Sequence, residues 1–281
     1  MRHSMLALAL VSALIPISLS PLAAAEVNLA SSKITNSLRV RWAAGEQVDV
    51  LIRLRSAPMR AQRALAFAEQ SEHAVRVLQT EAASSQKSVL VWLQSHAIAA
   101  RPFWIANVIA ARLDAKQAMA LAERDEVVGF EWDAPFKADI GQAATAVEDI
   151  RAIEPNVIRV RAPEVWALGY HGEGVVIAGQ DTGFQWDHPA LKTSYLGWDG
   201  VTANHNYHWR DAITADIDGN SNPCGMATQA PCDDNSHGSH TVGTMVGEDG
   251  ANQVGVAPDA KWIACRNMNA GDGTPATYLE C

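Results

Sequence analysis

Apolar and polar positions take turns around residue 50. Val48, Val50, Ile52 and Leu54 are apolar and fall in step with Asp49, Leu51, Arg53 and Arg55. A period of two predicts a strand with one buried face, and Pro58 ends it. The pattern then changes. Residues 59–97 are rich in Ala, Gln, Glu and Leu and contain no Gly or Pro. Leu65, Ala68, Val75, Leu78, Leu90 and Leu93 can share one face of a long helix. Beyond Pro102, residues 103–113 are apolar and strand-prone, as one strand or a hairpin. Asp114 is placed to cap a short helix over 115–124, and 127–132 reads as a closing strand. Strand, helix, strand, helix, strand is the order of a split βαβ, ferredoxin-like α+β unit. It occupies 48–132 within a region running from 26 to 140. Nothing in it looks catalytic; His73 and His96 are expected on the helix surface.

The patterning weakens over 136–155, and residues 141–161 are expected to link two domains. A second grammar begins at residue 162. A short helix over 162–168 is stopped by Gly169. Val175, Val176, Ile177 and Ala178 then form a continuous apolar run between turn residues. Such a run predicts a strand buried on both faces of a helix-covered parallel sheet.

Residues 1–25 have a different purpose. Arg2 and His3 precede an apolar run over 5–17 that is too short to span a bilayer, and Ala23, Ala24 and Ala25 offer a cleavage site. That is the order of a secretory signal peptide. The mature protein is expected to be secreted, extracellular or periplasmic, with no membrane span after signal removal. The 281 residues carry a formal net charge of −9, which argues against a nucleic-acid partner. Export makes disulfides feasible for the four cysteines. They permit three pairings, of which Cys224 with Cys232 is favoured because the two flank a short loop. The partner of Cys281 is expected beyond the end of the chain.

Two clusters carry chemistry. The apolar strand ends in Gln180-Asp181-Thr182-Gly183, and functional groups of open α/β sheets sit at the carboxyl ends of strands. Alone, D-T-G is also plain turn chemistry. The second cluster runs from Asp233 to Thr244, with His237 where a helix begins. Gly238 and Gly243 weaken that helix and point to close backbone approach. An Asp at a strand end and a His at a helix start are what a Ser-His-Asp triad needs: the carboxylate orients the ring, which then takes a proton from the serine.

Three segments resemble the subtilases, the subtilisin-like serine proteases. Residues 172–191 resemble the family's Asp motif, including a trailing H-P-x-L. Residues 237–247 resemble its H-G-T-H motif, with Ser239 in place of the usual Thr, and 255–260 (G-V-A-P-D-A) resemble a turn leading into the strand 261–265. The resemblance implies an α/β catalytic domain with a three-layer parallel sheet beginning at 162, and Asp181 and His237 as catalytic residues. It implies protein or peptide substrates. By the same resemblance residues 26–140 form an inhibitory propeptide that acts as the enzyme's own partner, removed by cleavage between 136 and 159. The family's serine motif, G-T-S-M-A, and its oxyanion Asn have no match here, and the last serine is Ser239. Residues 162–281 are thus expected to be the first part of the catalytic domain, and this polypeptide to be inactive.

Asp216, Asp218 and Asn220 place oxygen ligands at alternate positions, which can suit calcium. The glycine spacing is not that of an EF-hand and no closing Glu follows, so a solvated turn is favoured. The triad chemistry requires no cofactor. Two other functions compete. The propeptide-like region alone would be an inhibitor or folding helper for a protease. A metallohydrolase would use His237 with His240, Asp233, Asp234, or His205 with His208, but no H-E-x-x-H motif supports it.

Overall fold

A computed structural model describes residues 32–56, 67–138, 152–217, 219, 221–250 and 252–281. The signal segment, the start of the long helix at 57–66, most of the linker, and the calcium candidates Asp218 and Asn220 lie outside the described residues.

A helix that the apolar pattern did not reveal, α1 (Asn36–Ala43), opens the described chain and buries Leu38 and Trp42. Strand β1 (Val48–Leu54) follows, with α2 (Phe67–Ser95), β2 (Ala100–Phe103), β3 (Val108–Leu113), α3 (Ala115–Ala122) and β4 (Val127–Trp132). The run 103–113 therefore folds as the arm of a hairpin, β2 against β3. All pairings are antiparallel, in the order β2-β3-β1-β4. Asp114 caps α3 as its position predicts. It accepts from Gln117 N at 2.8 Å while Gln117 Oε1 accepts from Asp114 N at 2.9 Å, a reciprocal capping box.

Helix α2 covers one face of this sheet with Ala82, Gln86, Val89 and Leu93, a spacing of four, three and four that keeps one stripe inward. Of the expected stripe, Leu93 is buried and Leu90 packs against the core, whereas Leu78 is half-buried and Val75 is 39% exposed. Gln86 satisfies its buried amide by donating to Phe103 O at 3.0 Å and to Asn107 Oδ1 at 3.1 Å.

Leu51 points to the opposite face and is nevertheless buried, because that face is not left to solvent. With Phe103, Val108 and Ala110 it packs on Ala276 and Leu279, in α8 (Pro275–Glu280).

Between them come β5 (Phe136–Lys137), α4 (Pro155–Arg159), α5 (Ala162–Trp166), β6 (Val176–Asp181), α6 (Pro189–Lys192), β7 (Trp209–Asp211), α7 (His237–Val246), β8 (Lys261–Arg266) and β9 (Asp272–Gly273). Helix α4 places a turn of helix inside the expected linker. Strands β6, β8 and β7 form a parallel sheet with β8 in the centre. Trp262 on β8 anchors its core, with ring centroids 4.7 Å from Tyr195 and 5.7 Å from Phe184. The expectation that β6 is covered on both faces is corrected here. Val176, Ala178 and Gln180 share one face and are exposed, whereas Ile177, Gly179 and Asp181 on the other are half-buried or buried, so only one face of this strand is covered.

The two sheets are joined. Strand β5 pairs antiparallel with β9, and Ala138 N donates to Gly271 O at 2.9 Å. Asp133 accepts from Ala276 N at 2.8 Å and from Thr274 Oγ1 at 3.2 Å, at the start of α8. Phe136 lies on Tyr278, centroids 5.3 Å apart.

The cysteines pair as Cys224–Cys232 and Cys265–Cys281. The first is the favoured pair. The second corrects the expectation for Cys281: α8 turns back along the sheet and brings its Cα 5.6 Å from that of Cys265 on β8.

Candidate active site

Parallel pairing of β6 on β8 carries the apolar run to its carboxyl end, where Asp181 is buried. The chain must then turn sharply. Gly183 has φ +117, and a Cβ on it would meet Cys232 O at 1.9 Å. Gly238 is equally constrained: its Cβ would stand 1.9 Å from Gly183 O. The two motifs thus touch through backbone at two glycines. At Gly243 the expectation of close approach fails, because a Cβ there meets nothing within 4 Å.

This contact brings His237 Nδ1 to 2.7 Å from Asp181 Oδ1. A carboxylate oxygen accepts, so Nδ1 carries the proton and Nε2 presents a lone pair. Asp181 Oδ1 also accepts from Thr182 N at 2.7 Å, and Thr241 Oγ1 lies 3.2 Å from Asp181 Oδ2. The His237 side chain keeps 34% of its surface exposed, against 10% for Asp181. It faces a cleft of about 1180 Å³ lined in part by Gln185, His188, Ser236, Ser239 and His240. Burial, and secondarily the charge of Asp181, pushes the phenol of Tyr278 above the ordinary range.

Ser239 is committed elsewhere. Its Oγ donates to Asp233 Oδ2 at 2.6 Å and accepts from Gln185 N at 2.9 Å. Asp233 also holds Thr182, Asn235 and Ser236. Thr182 and Thr241 are not among the residues singled out from the sequence, and Asp233 enters there only as a metal-ligand candidate, although the D-T-G and D-D-N-S-H-G strings contain Thr182 and Asp233.

The metallohydrolase set does not assemble. His205 Nδ1 lies 3.0 Å from Tyr195 Oη, and His208 Nδ1 lies 2.9 Å from Asn204 O. Asp234 pairs with the buried Arg266 at 3.1 Å. Burial holds the His205 imidazole below its usual range and pushes the Tyr195 phenol up to about 12, as expected of packed groups. Among the described residues, one set of three acidic or imidazole side chains converges closely, His171, Glu173 and Asp259, away from this cleft. Asp216 is exposed, and the nearby Asn222 Oδ1 is taken by Arg266 Nη2 at 2.7 Å.

Comparison with known proteins agrees with this geometry. Residues 172–280 match the Peptidase_S8 family, the subtilases. Bacillopeptidase F of Bacillus subtilis is 41% identical over 156 residues, covering 54% of this chain and 10% of the relative. The minor extracellular protease Vpr of the same organism is 30% identical over 165 residues, covering 48% of this chain and 18% of the relative. The chain thus spans a small part of the relatives it matches. The crystal structure of the epidermin leader peptide processing serine protease of Staphylococcus aureus shares the fold. It has a TM-score of 0.52 and 11% identity over 80% of this chain and 44% of that one. Among the described residues no helix is long and apolar enough to cross a membrane.

Proposed function

We propose that this chain, whose residues 172–280 belong to the subtilase family, is part of a secreted serine endopeptidase precursor. The reading is carried by the 2.7 Å contact between His237 Nδ1 and Asp181 Oδ1. Asp181 fixes the ring in one tautomer and stabilises the imidazolium. Nε2 accepts the proton of an attacking serine hydroxyl and then passes it to the leaving amine. Neither step uses a cofactor. Calcium at the run from Asp216 is not needed for this reading; a calcium titration that leaves the melting temperature unmoved counts against a site there.

The serine is not among residues 240–281, which contain none, and Ser239 is tied to Asp233. In this reading residues 1–281 alone do not hydrolyse peptides. A fluorophosphonate probe tests the point. It should leave this polypeptide unlabelled and label a form that also carries a G-T-S-M-A segment, with labelling lost in His237→Ala. Labelling of Ser239 in the 281-residue chain would overturn the assignment.

Residues 26–140 serve as propeptide. The strand order β2-β3-β1-β4 supports a ferredoxin-like unit. The pairing of β5 with β9 and the hold of Asp133 on α8 support a segment docked beside the catalytic pair. Its processing site falls within 136–159. The second reading, a chain whose propeptide inhibits or helps fold a protease, rests on the same docking. It is tested by adding residues 26–140, once shown to be folded, to a mature subtilase; no inhibition counts against it. Substrates are proteins or peptides.

A further inference from the structure

We propose that Asp233 is the positioning residue for His237, one carboxylate that fixes both ends of the Asp181–His237 contact. The proposal rests on the reading of that pair given above.

The first turn of α7 lacks an ordinary cap. Its N-cap residue, Ser236, sits in the left-handed region at φ 69 and makes no side-chain capping bond. The four leading N–H groups of a helix need acceptors, and here the acceptor comes from outside the helix. Asp233 Oδ2 takes Ser239 N at 2.9 Å and Ser239 Oγ at 2.6 Å. An anion at this end of a helix is also favoured by the aligned peptide dipoles.

The other oxygen faces β6. Asp233 Oδ1 accepts from Ser236 N at 2.8 Å, Asn235 N at 3.1 Å and Thr182 Oγ1 at 2.9 Å. Thr182 is the neighbour of Asp181. Its amide donates to Asp181 Oδ1, the oxygen that His237 uses. Its hydroxyl spends its proton on Asp233 and accepts from Gly238 N at 3.1 Å. Asp233 is therefore linked to Asp181 through Thr182, and to the His237 backbone through Ser236, Ser239 and Gly238. Its own place is fixed on two sides. Gly183 and Asp233 form an antiparallel bridge, and the next residue, Asp234, pairs with Arg266, both side chains being 0% exposed.

A cap alone would stabilise α7 without choosing the direction of the ring. The Oδ1 half of the network makes that choice, because it ties the strand end to the helix start across the two touching glycines.

The test uses the 281-residue chain and proton NMR of the His237 Nδ1–H. A short hydrogen bond to a carboxylate moves such a proton downfield of the amide region. Its absence in the wild-type chain would defeat the Asp181–His237 reading itself. If it is present, Asp233→Ala should abolish it. Asp233→Asn, which keeps an acceptor toward Thr182 but not toward Ser239, should retain it at a lower melting temperature. Thr182→Val covers the case in which Asp233→Ala does not fold: it removes the bridge, leaves the cap, and should shift or broaden the resonance. An unmoved resonance in folded Asp233→Ala, or in Thr182→Val, would overturn the proposal and leave Asp233 as a structural cap.

Discussion

Gly183 and Gly238 meet backbone to backbone: the carbonyl oxygen of the first stands 1.9 Å from where a Cβ on the second would be. The atom in the way belongs to the main chain of a turn that also carries Asp181, so it cannot rotate aside. Gly238→Ala should therefore pry the two motifs apart. We expect a loss of about 2–3 kcal/mol from overpacking, read by urea unfolding, together with loss of the His237 Nδ1–H signal. By contrast Gly243→Ala, where a Cβ meets nothing within 4 Å, should be neutral or slightly stabilising, since Ala is the better helix former.

Two carboxyl groups of the N-terminal region give stability of opposite pH dependence. Glu126 is held down to about 2 by the Ser88 hydroxyl and by its own backbone amide, with Arg124 adding a smaller part. A depressed carboxyl contributes stability that is present above its ordinary value of 4.5 and lost as pH falls toward 2. Ser88→Ala should raise the Glu126 pKa in an NMR titration and move the acid loss to higher pH.

Asp133 behaves in reverse. Burial against α8 pushes its carboxyl up, outweighing the bonds from Ala276 and Thr274. A raised carboxyl contributes stability that is fully present below its ordinary value of 3.8 and lost as pH rises through the folded value. Hydrogen exchange of the α8 amides should therefore slow as pH is lowered through that window, after correction for intrinsic rates. In Asp133→Asn this dependence should vanish.

The Cys265–Cys281 bridge closes a loop of sequence separation 16 around β9 and α8. A loop of that size is worth about 3 kcal/mol by chain entropy. Replacing both cysteines by serine should lower the melting temperature and expose Leu51 and Ala110, which α8 covers. Binding of a hydrophobic dye reports that exposure; unchanged dye binding would show that α8 stays docked without its tether.

What was legible in the sequence follows from local physics. The period of two at Val48 to Leu54, the Asp114 cap and the D-T-G and H-G-S-H strings each depend on neighbours a few residues away, and each stands where it was read. What was not legible depends on distant chain. Leu51 looked like an outward position until α8, more than 200 residues later, covered it. Val176 looked interior from its apolar neighbours, but burial of its side chain depends on what packs over that face of the sheet, and that face is open. Cys281 could not be paired without knowing that α8 folds back on β8. Gly238 and Gly243 look alike in sequence, and only the approach of Gly183 separates them. The role of Asp233 was hidden for the same reason, since Thr182, the partner that links it to the strand end, is 51 residues away.

If Asp181 and His237 are the proton-handling pair of a precursor that cleaves itself, the mass of the secreted product from a form that carries the serine segment must depend on His237. The unsubstituted protein should lose its N-terminal region by cleavage within 136–159, and the His237→Ala protein should keep it. Normal processing in His237→Ala, with no other protease present, would contradict the assignment of the pair.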